Sequence, residues 1–267
     1  METSFVDMVK EVLSEELKRN DKFLPTEDIN ELLSEEFSEE TTRSGIFGYP
    51  TRPLYKTIGV MLDRWIQNKE SPVMELPNYD LLDEKEYLEE RSFNFKKITD
   101  LLDGIQTLWD HSSKAEQNFS VRKMLMILGK RGILDLLGVR KTVGSKDIFP
   151  PPRKLLEDTF QQLNNPGSIL TVGARALAKH CHRDETDGWW GKCKGREIDK
   201  NEHAFKILGK ILDNSTWINI HWLPHDVIIC EVRQENGYGA RWTHDGKSFR
   251  GFLEPQMAGG HDVGWKH

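Results

Sequence analysis

Two arginines, Arg241 and Arg250, flank an Asp245-Gly246 pair in the run Gly237 to Pro255, and aromatic residues alternate beside them. An Asp-Gly pair between such arms predicts a β-hairpin. A two-residue loop sets His244 opposite Lys247, Trp242 opposite Phe249, Arg241 opposite Arg250 and Ala240 opposite Gly251. Like charges held side by side on a sheet repel unless an anion lies between them. The pair therefore predicts an anion site, with Lys247 at the turn and Arg175, Lys179 and His182 converging from a preceding helix. Guanidinium forks match phosphate oxygens, and the rings of Trp189, Trp190, Tyr238 and Trp242 offer surfaces on which bases stack. The competing expectation is that Glu231 or Glu254 neutralises the arginines from within the chain.

Histidines supply a second chemistry. His221, His225 and His244 fall at strand ends or turns of the same predicted sheet, where imidazoles titrate near neutral pH and could cleave a phosphoester as acid and base, the competing expectation being surface or structural histidines. His261 lies in the tail beyond it. No phosphate-binding loop, dinucleotide fingerprint, nucleophile elbow or zinc-protease motif accompanies them. His180, Cys181, His182, Cys193 and His203 include metal-ligand types without a paired Cys-x-x-Cys, so no metal site and no cofactor are expected. The three cysteines, with Cys230, do not suggest a disulfide framework.

The elements that must position these groups are read from periodicity. Phe5, Met8, Val9, Val12, Leu13 and Leu17 have helical spacing behind a Ser4–Asp7 capping box. Further helices are predicted after Pro25 and from Pro53, and again through Asp83 to Glu90 and Ile98 to Trp109. Val121 to Lys146 holds seven basic residues against Asp135 alone. Two short helices broken at Gly129 to Gly132 are predicted there, with a basic face that either pairs with the acidic N-terminal helices of the same chain or meets an acidic partner or phosphate.

Pro150-Pro151-Pro152 marks a division between a helical region, 1–149, and an α+β domain, 150–267. In the second region the pattern predicts a helix to Leu163, a short strand Ser168 to Val172, helices Ala174 to His182 and one ending near Asn214, then strands Trp217 to Trp222 and Val227 to Arg233 and the hairpin. The fold class is α+β, with a helical N-terminal region followed by a small mixed domain carrying an antiparallel β-meander.

Charge is uneven along the 267 residues: the net −6 divides into −7 over residues 1–150 and +1 over 151–267. Eight of nine histidines, six of eight tryptophans and all three cysteines lie beyond residue 179, which concentrates chemical capacity in the last third. No stretch is long and apolar enough to span a bilayer, and the N-terminus lacks the pattern of a secretory signal, so no membrane partner is expected and the location expected is cytoplasmic or nuclear. The acidic N-terminal helices offer a face for a protein partner.

Leu170 to His180, Gly237 to Trp242, Gly251-Phe252-Leu253-Glu254-Pro255 and Gly264-Trp265-Lys266-His267 together resemble a family of uncharacterised eukaryotic proteins with this C-terminal signature. The resemblance covers residues 168–267 and implies, through an ASCH-type label, RNA binding. The Gly-x-Lys-x-x-Glu-x-Arg pattern of such domains is absent, and the resemblance implies no site residues. These readings point to a binding protein for an anionic ligand, RNA or another phosphate-bearing molecule. The alternatives are a histidine-dependent phosphoester hydrolase and a protein-interaction scaffold.

Overall fold

A computed structural model describes residues 4–79, 84–106, 111–181, 188–224 and 226–255. Its first helix, α1 (Phe5–Glu16), begins where the Ser4 hydroxyl accepts from the Asp7 amide, and it buries Phe5, Met8, Val9, Val12 and Leu13. α2 (Thr26–Leu33) follows Pro25, and α3 (Leu54–Asn68) follows Pro53 and ends on Lys69 in the left-handed conformation. α1 crosses α3 at Gly59, where an added Cβ would lie 2.5 Å from the Val6 Cα. Backbone cannot yield there as a flexible side chain can. Gly59→Ala is expected to lower unfolding free energy by about 1–3 kcal/mol, read as a lower urea midpoint.

Asp83 to Trp109 was expected to hold two helices, and the described part forms one, α4 (Lys85–Gln106). α5 (Lys114–Leu136) starts at a Ser113–Glu116 capping box and is kinked at Gly129, whose φ of 56° and ψ of −170° leave the helical region. The expected break is therefore a kink between two helical halves. Arg122, Lys130 and Arg131 of α5 end on acids of the same chain. Arg122 clasps Glu16 at 2.7 and 3.1 Å, Lys130 meets Asp28 at 2.7 Å, and Arg131 meets Asp147 at 2.8 Å.

Hydrogen bonds tie this helical region to the C-terminal one. The amides of Gly48 and Tyr49 donate to the carbonyls of Ser215 and Leu212, both at 2.8 Å. The Tyr49 hydroxyl donates to the Pro151 carbonyl at 2.7 Å, and buried Arg52 donates to Pro150 at 2.8 Å.

The C-terminal region is α+β. α6 (Arg153–Phe160), α7 (Val172–Cys181) and α8 (Glu197–Asp213) precede β1 (Ser215–Leu223), β2 (Val227–Gln234), β3 (Gly239–Thr243) and β4 (Phe249–Leu253), which form one antiparallel meander in the order β1-β2-β3-β4. The strand expected at Ser168 to Val172 reduces to a single bridge, Leu163 with Thr171, because Val172 already starts α7. One sheet face carries Ile218, Ile220, Cys230, Val232, Ala240, Trp242, Phe249 and Phe252, all buried. The three helices cover this face. Phe160 of α6 packs edge-on to Phe249 and Phe252, and Gly173 of α7 makes room for that ring, since a Cβ there would lie 2.1 Å from it.

Residues 139–146 run along the outer edge of β1. Arg140 and Lys146 amides donate to the Ile218 and Ile220 carbonyls, and Trp222 donates to Gly144. Cys181 and Cys193 are joined as a disulfide across the α7–α8 connection, a pairing the sparse cysteine count did not suggest. Among the described residues, no helix is long and apolar enough to cross a membrane.

Candidate functional site

The sheet face turned away from the helices, where the alternate strand residues project, carries polar residues beside the buried Trp217 and Ile229. Asn219 of β1, Glu231 of β2 and Arg241 of β3 are direct cross-strand neighbours. Two positions along their strands, His221, Arg233 and Thr243 share the face. Asn219 is fixed at the β1 edge, accepting from the Ser145 hydroxyl at 2.7 Å and donating to the Thr142 hydroxyl at 2.9 Å.

Glu231 is the hub. One carboxylate oxygen accepts from Arg233 Nε at 2.6 Å, and the other lies 3.7 Å from His221 Nε2. Burial pushes the carboxyl up, but His221 and the Arg233 charge outweigh it and hold its pKa at about 2. Burial likewise pulls His221 down, and again the partner wins: Glu231, with the Trp222 carbonyl, raises the imidazole above its ordinary value. His221 Nδ1 donates to that carbonyl at 3.0 Å, which directs Nε2 toward the carboxylate. Arg233 also donates through Nη1 to the carbonyls of Gly237 and Glu254 at 2.7 and 2.9 Å.

Arg241 and Arg250 are different. Trp242 pairs with Phe249 as expected, but the register then slips, so Arg241 pairs with Gly251 and Arg250 is the extra residue of a β-bulge. Gly251 sits at a φ of 136°, a conformation that suits glycine and permits the slip. The turn is also longer than two residues: Thr243 pairs with Ser248 through its amide, and His244 to Lys247 form the loop, braced by the Asp245 carboxylate. The arginines are thus neighbours on one face, offset rather than directly opposed. Desolvation pulls Arg241 below its ordinary value; the Glu231 charge opposes this, and the charges of Arg233 and Arg250 add to it.

Neither expected neutralising acid reaches them as an ion pair. Glu231 is taken by Arg233 and His221, and Glu254 accepts from His180 Nδ1 at 2.7 Å. Among the described residues, no hydrogen bond or ion pair engages the guanidinium of Arg241 or of Arg250, and Arg250 is exposed. The arrangement is a positive site beside a polarised histidine–carboxylate pair.

Other expected site residues separate from it. Trp242 is a core residue, fully buried with its indole donating to the Leu156 carbonyl at 3.2 Å, so it cannot stack a base. Arg175 and Lys179 lie on the exposed side of α7, in the helical layer behind the opposite sheet face. Lys247 is at the hairpin tip with Asp245 at 3.7 Å, and His244 lies in the same turn. His182 and His225 lie outside the described residues, as does His261. Of the aromatic residues, Trp190 is buried and Trp189 stacks on Tyr238 at 4.2 Å, both in that helical layer. Cys181, Cys193 and His203, whose ligand atoms cluster, belong to it too.

Arg233 and Asn219 were not anticipated as site residues, and Glu231 only as a neutralising acid. Their signal was present: the polar residues Asn219 and His221, and Glu231 and Arg233, recur with period two inside otherwise apolar strands.

No curated protein and no solved structure matches the chain. Residues 161–254, about a third of the sequence, are similar to the family described as the CdiA C-terminal tRNase toxin domain, and this segment contains the whole sheet, with His221, Glu231, Arg233, Arg241 and Arg250.

Proposed function

We propose that the polar face of the sheet binds RNA and cleaves its phosphodiester backbone, with tRNA as the substrate class. The observation that carries this reading is the pair of arginines, whose guanidinium groups make no hydrogen bond or ion pair among the described residues, beside the His221–Glu231 pair. Similarity of the same segment to a tRNase toxin domain supports it. Arg241 and Arg250 hold the scissile phosphate and stabilise the charge that builds on its oxygens in the transition state. The 2′ hydroxyl of the adjoining ribose attacks phosphorus and the bond to the 5′ oxygen breaks, leaving a 2′,3′-cyclic phosphate. The hydroxyl proton passes to water, and His221, kept protonated to higher pH by the Glu231 carboxylate, donates one to the leaving oxygen.

The test is incubation of the full chain with tRNA, followed by end-group analysis of the fragments. Fragments ending in 2′,3′-cyclic phosphate are expected, and a substrate with 2′-deoxyribose at the cut site should remain intact. Cleavage of the deoxy substrate would exclude attack by the 2′ oxygen, while binding without cleavage would leave the face an RNA-binding surface only.

Binding itself has a measurable electrostatic signature. Affinity for a tRNA is expected to fall as salt rises, and Arg250→Ala should lower the slope of log affinity against log salt by about 1, the contribution of one phosphate contact. An unchanged slope would remove Arg250 from the interface.

A further inference from the structure

A second cluster lies at the joint between α7 and α8, in the layer behind the sheet. Cys181 closes α7, Cys193 lies in the following loop, and His203 stands on α8. Their two sulfurs and one imidazole nitrogen lie within 4.8 Å of one another, and all three residues are half-buried, so a small ion can reach them. The loop is shaped for this approach. Gly188, Gly191 and Gly195 have φ of 60°, 69° and 97°, and a Cβ on Gly191 would lie 2.8 Å from His203 Cε1.

His203 is also oriented. Its Nε2 donates to the Trp190 carbonyl at 2.7 Å, so in the neutral ring Nδ1 carries the lone pair. Metal-ligating histidines are held in this way, one nitrogen on a backbone carbonyl and the other on the ion.

We propose that Cys181 and Cys193 in their reduced form, with His203, bind one zinc-type divalent cation. Two thiolates and an imidazole provide three tetrahedral positions, with water as the fourth ligand. The cation displaces the two thiol protons as it binds. In the disulfide the sulfurs are neutral, so the cross-linked and metal-bound states exclude one another.

Cobalt(II) is a suitable probe, because thiolate ligation gives a charge-transfer band. The full chain is first reduced with a phosphine, which takes oxygen from water to become the phosphine oxide. The disulfide receives the two electrons and two protons and becomes two thiols. Reduced wild-type chain should then take up a single equivalent of cobalt with a charge-transfer band that zinc abolishes, and the oxidised chain should show none. Cys193→Ser should lose the band, and His203→Ala should weaken cobalt binding at least about tenfold. Cys230→Ala should behave as wild type, since Cys230 is buried and its thiol is pushed up to about 12. Absence of the band from reduced wild type, a measurement independent of how any variant folds, would overturn the proposal. So would a band that survives Cys193→Ser, or binding unchanged in His203→Ala.

Discussion

Arg241→Ala is expected to lower tRNA cleavage by about 100- to 1000-fold while leaving the unfolding midpoint essentially unchanged. Removal of a single preorganised donor aimed at developing charge costs about that much in kcat. The stability half of the expectation comes from the same geometry. Arg241 makes no ion pair or hydrogen bond among the described residues, and its charge is held down by desolvation and by Arg233 and Arg250. Deleting it strands no hydrogen-bond partner among the described residues and removes the repulsion from Arg233 and Arg250, against which the attraction of the Glu231 charge and the packing of its aliphatic stem are lost. Arg241→Lys keeps the charge but not the planar fork, so partial activity is expected. Arg233 provides the contrast, because its three hydrogen bonds reach Glu231, Gly237 and Glu254, and its removal should damage stability as well. Single-turnover cleavage alongside thermal unfolding separates the two residues. Wild-type cleavage by Arg241→Ala would remove Arg241 from catalysis, and a large loss of stability would mean that it has a structural anion after all.

The different roles of these two arginines mark the limit of what the sequence discloses. The turn at Asp245-Gly246 and the pairing of Trp242 with Phe249 are local properties, and both were legible. The next pair was not, because the bulge at Arg250 depends on a backbone conformation at Gly251 that no side-chain alternation reports. Helix positions were likewise legible from capping and apolar spacing, as at Ser4, whereas the capping box that starts α5 at Ser113 was not read. Periodicity shows which side of a helix is exposed but not which side of the sheet that helix covers, and so Arg175 and Lys179 were grouped with arginines from which the sheet divides them. The His221–Glu231–Arg233 cluster needs the register of β1 on β2, a non-local quantity. The Cys181–Cys193 contact arises from glycine-turned loop geometry that the spacing alone does not reveal.

Glu231 carries the second large effect, and it appears as a change in the shape of the pH–stability curve. Its folded pKa of about 2 lies below the ordinary 4.5, so its contribution is fully present above 4.5 and is lost as pH falls toward 2. The shift corresponds to about 3 kcal/mol. His221 has the opposite sign: its folded value is raised, so its contribution is present below 6.5 and is lost as pH rises through the folded value. The two partners thus place the stability conferred by this cluster in a window bounded by the acid limb of Glu231 and the neutral limb of His221. Glu231→Gln keeps an acceptor for Arg233 but removes the charge that produces both shifts, so both limbs should flatten in urea unfolding measured from pH 2 to pH 8. Glu231→Ala goes further and leaves Arg233 buried without its carboxylate, at an expected cost of about 3–5 kcal/mol at neutral pH. If Glu231→Gln ran parallel to wild type across this range, the carboxylate would not be the charge that polarises His221. The acid assigned to RNA cleavage, His221, would then lose its physical basis, whatever the fate of the phosphate-binding arginines.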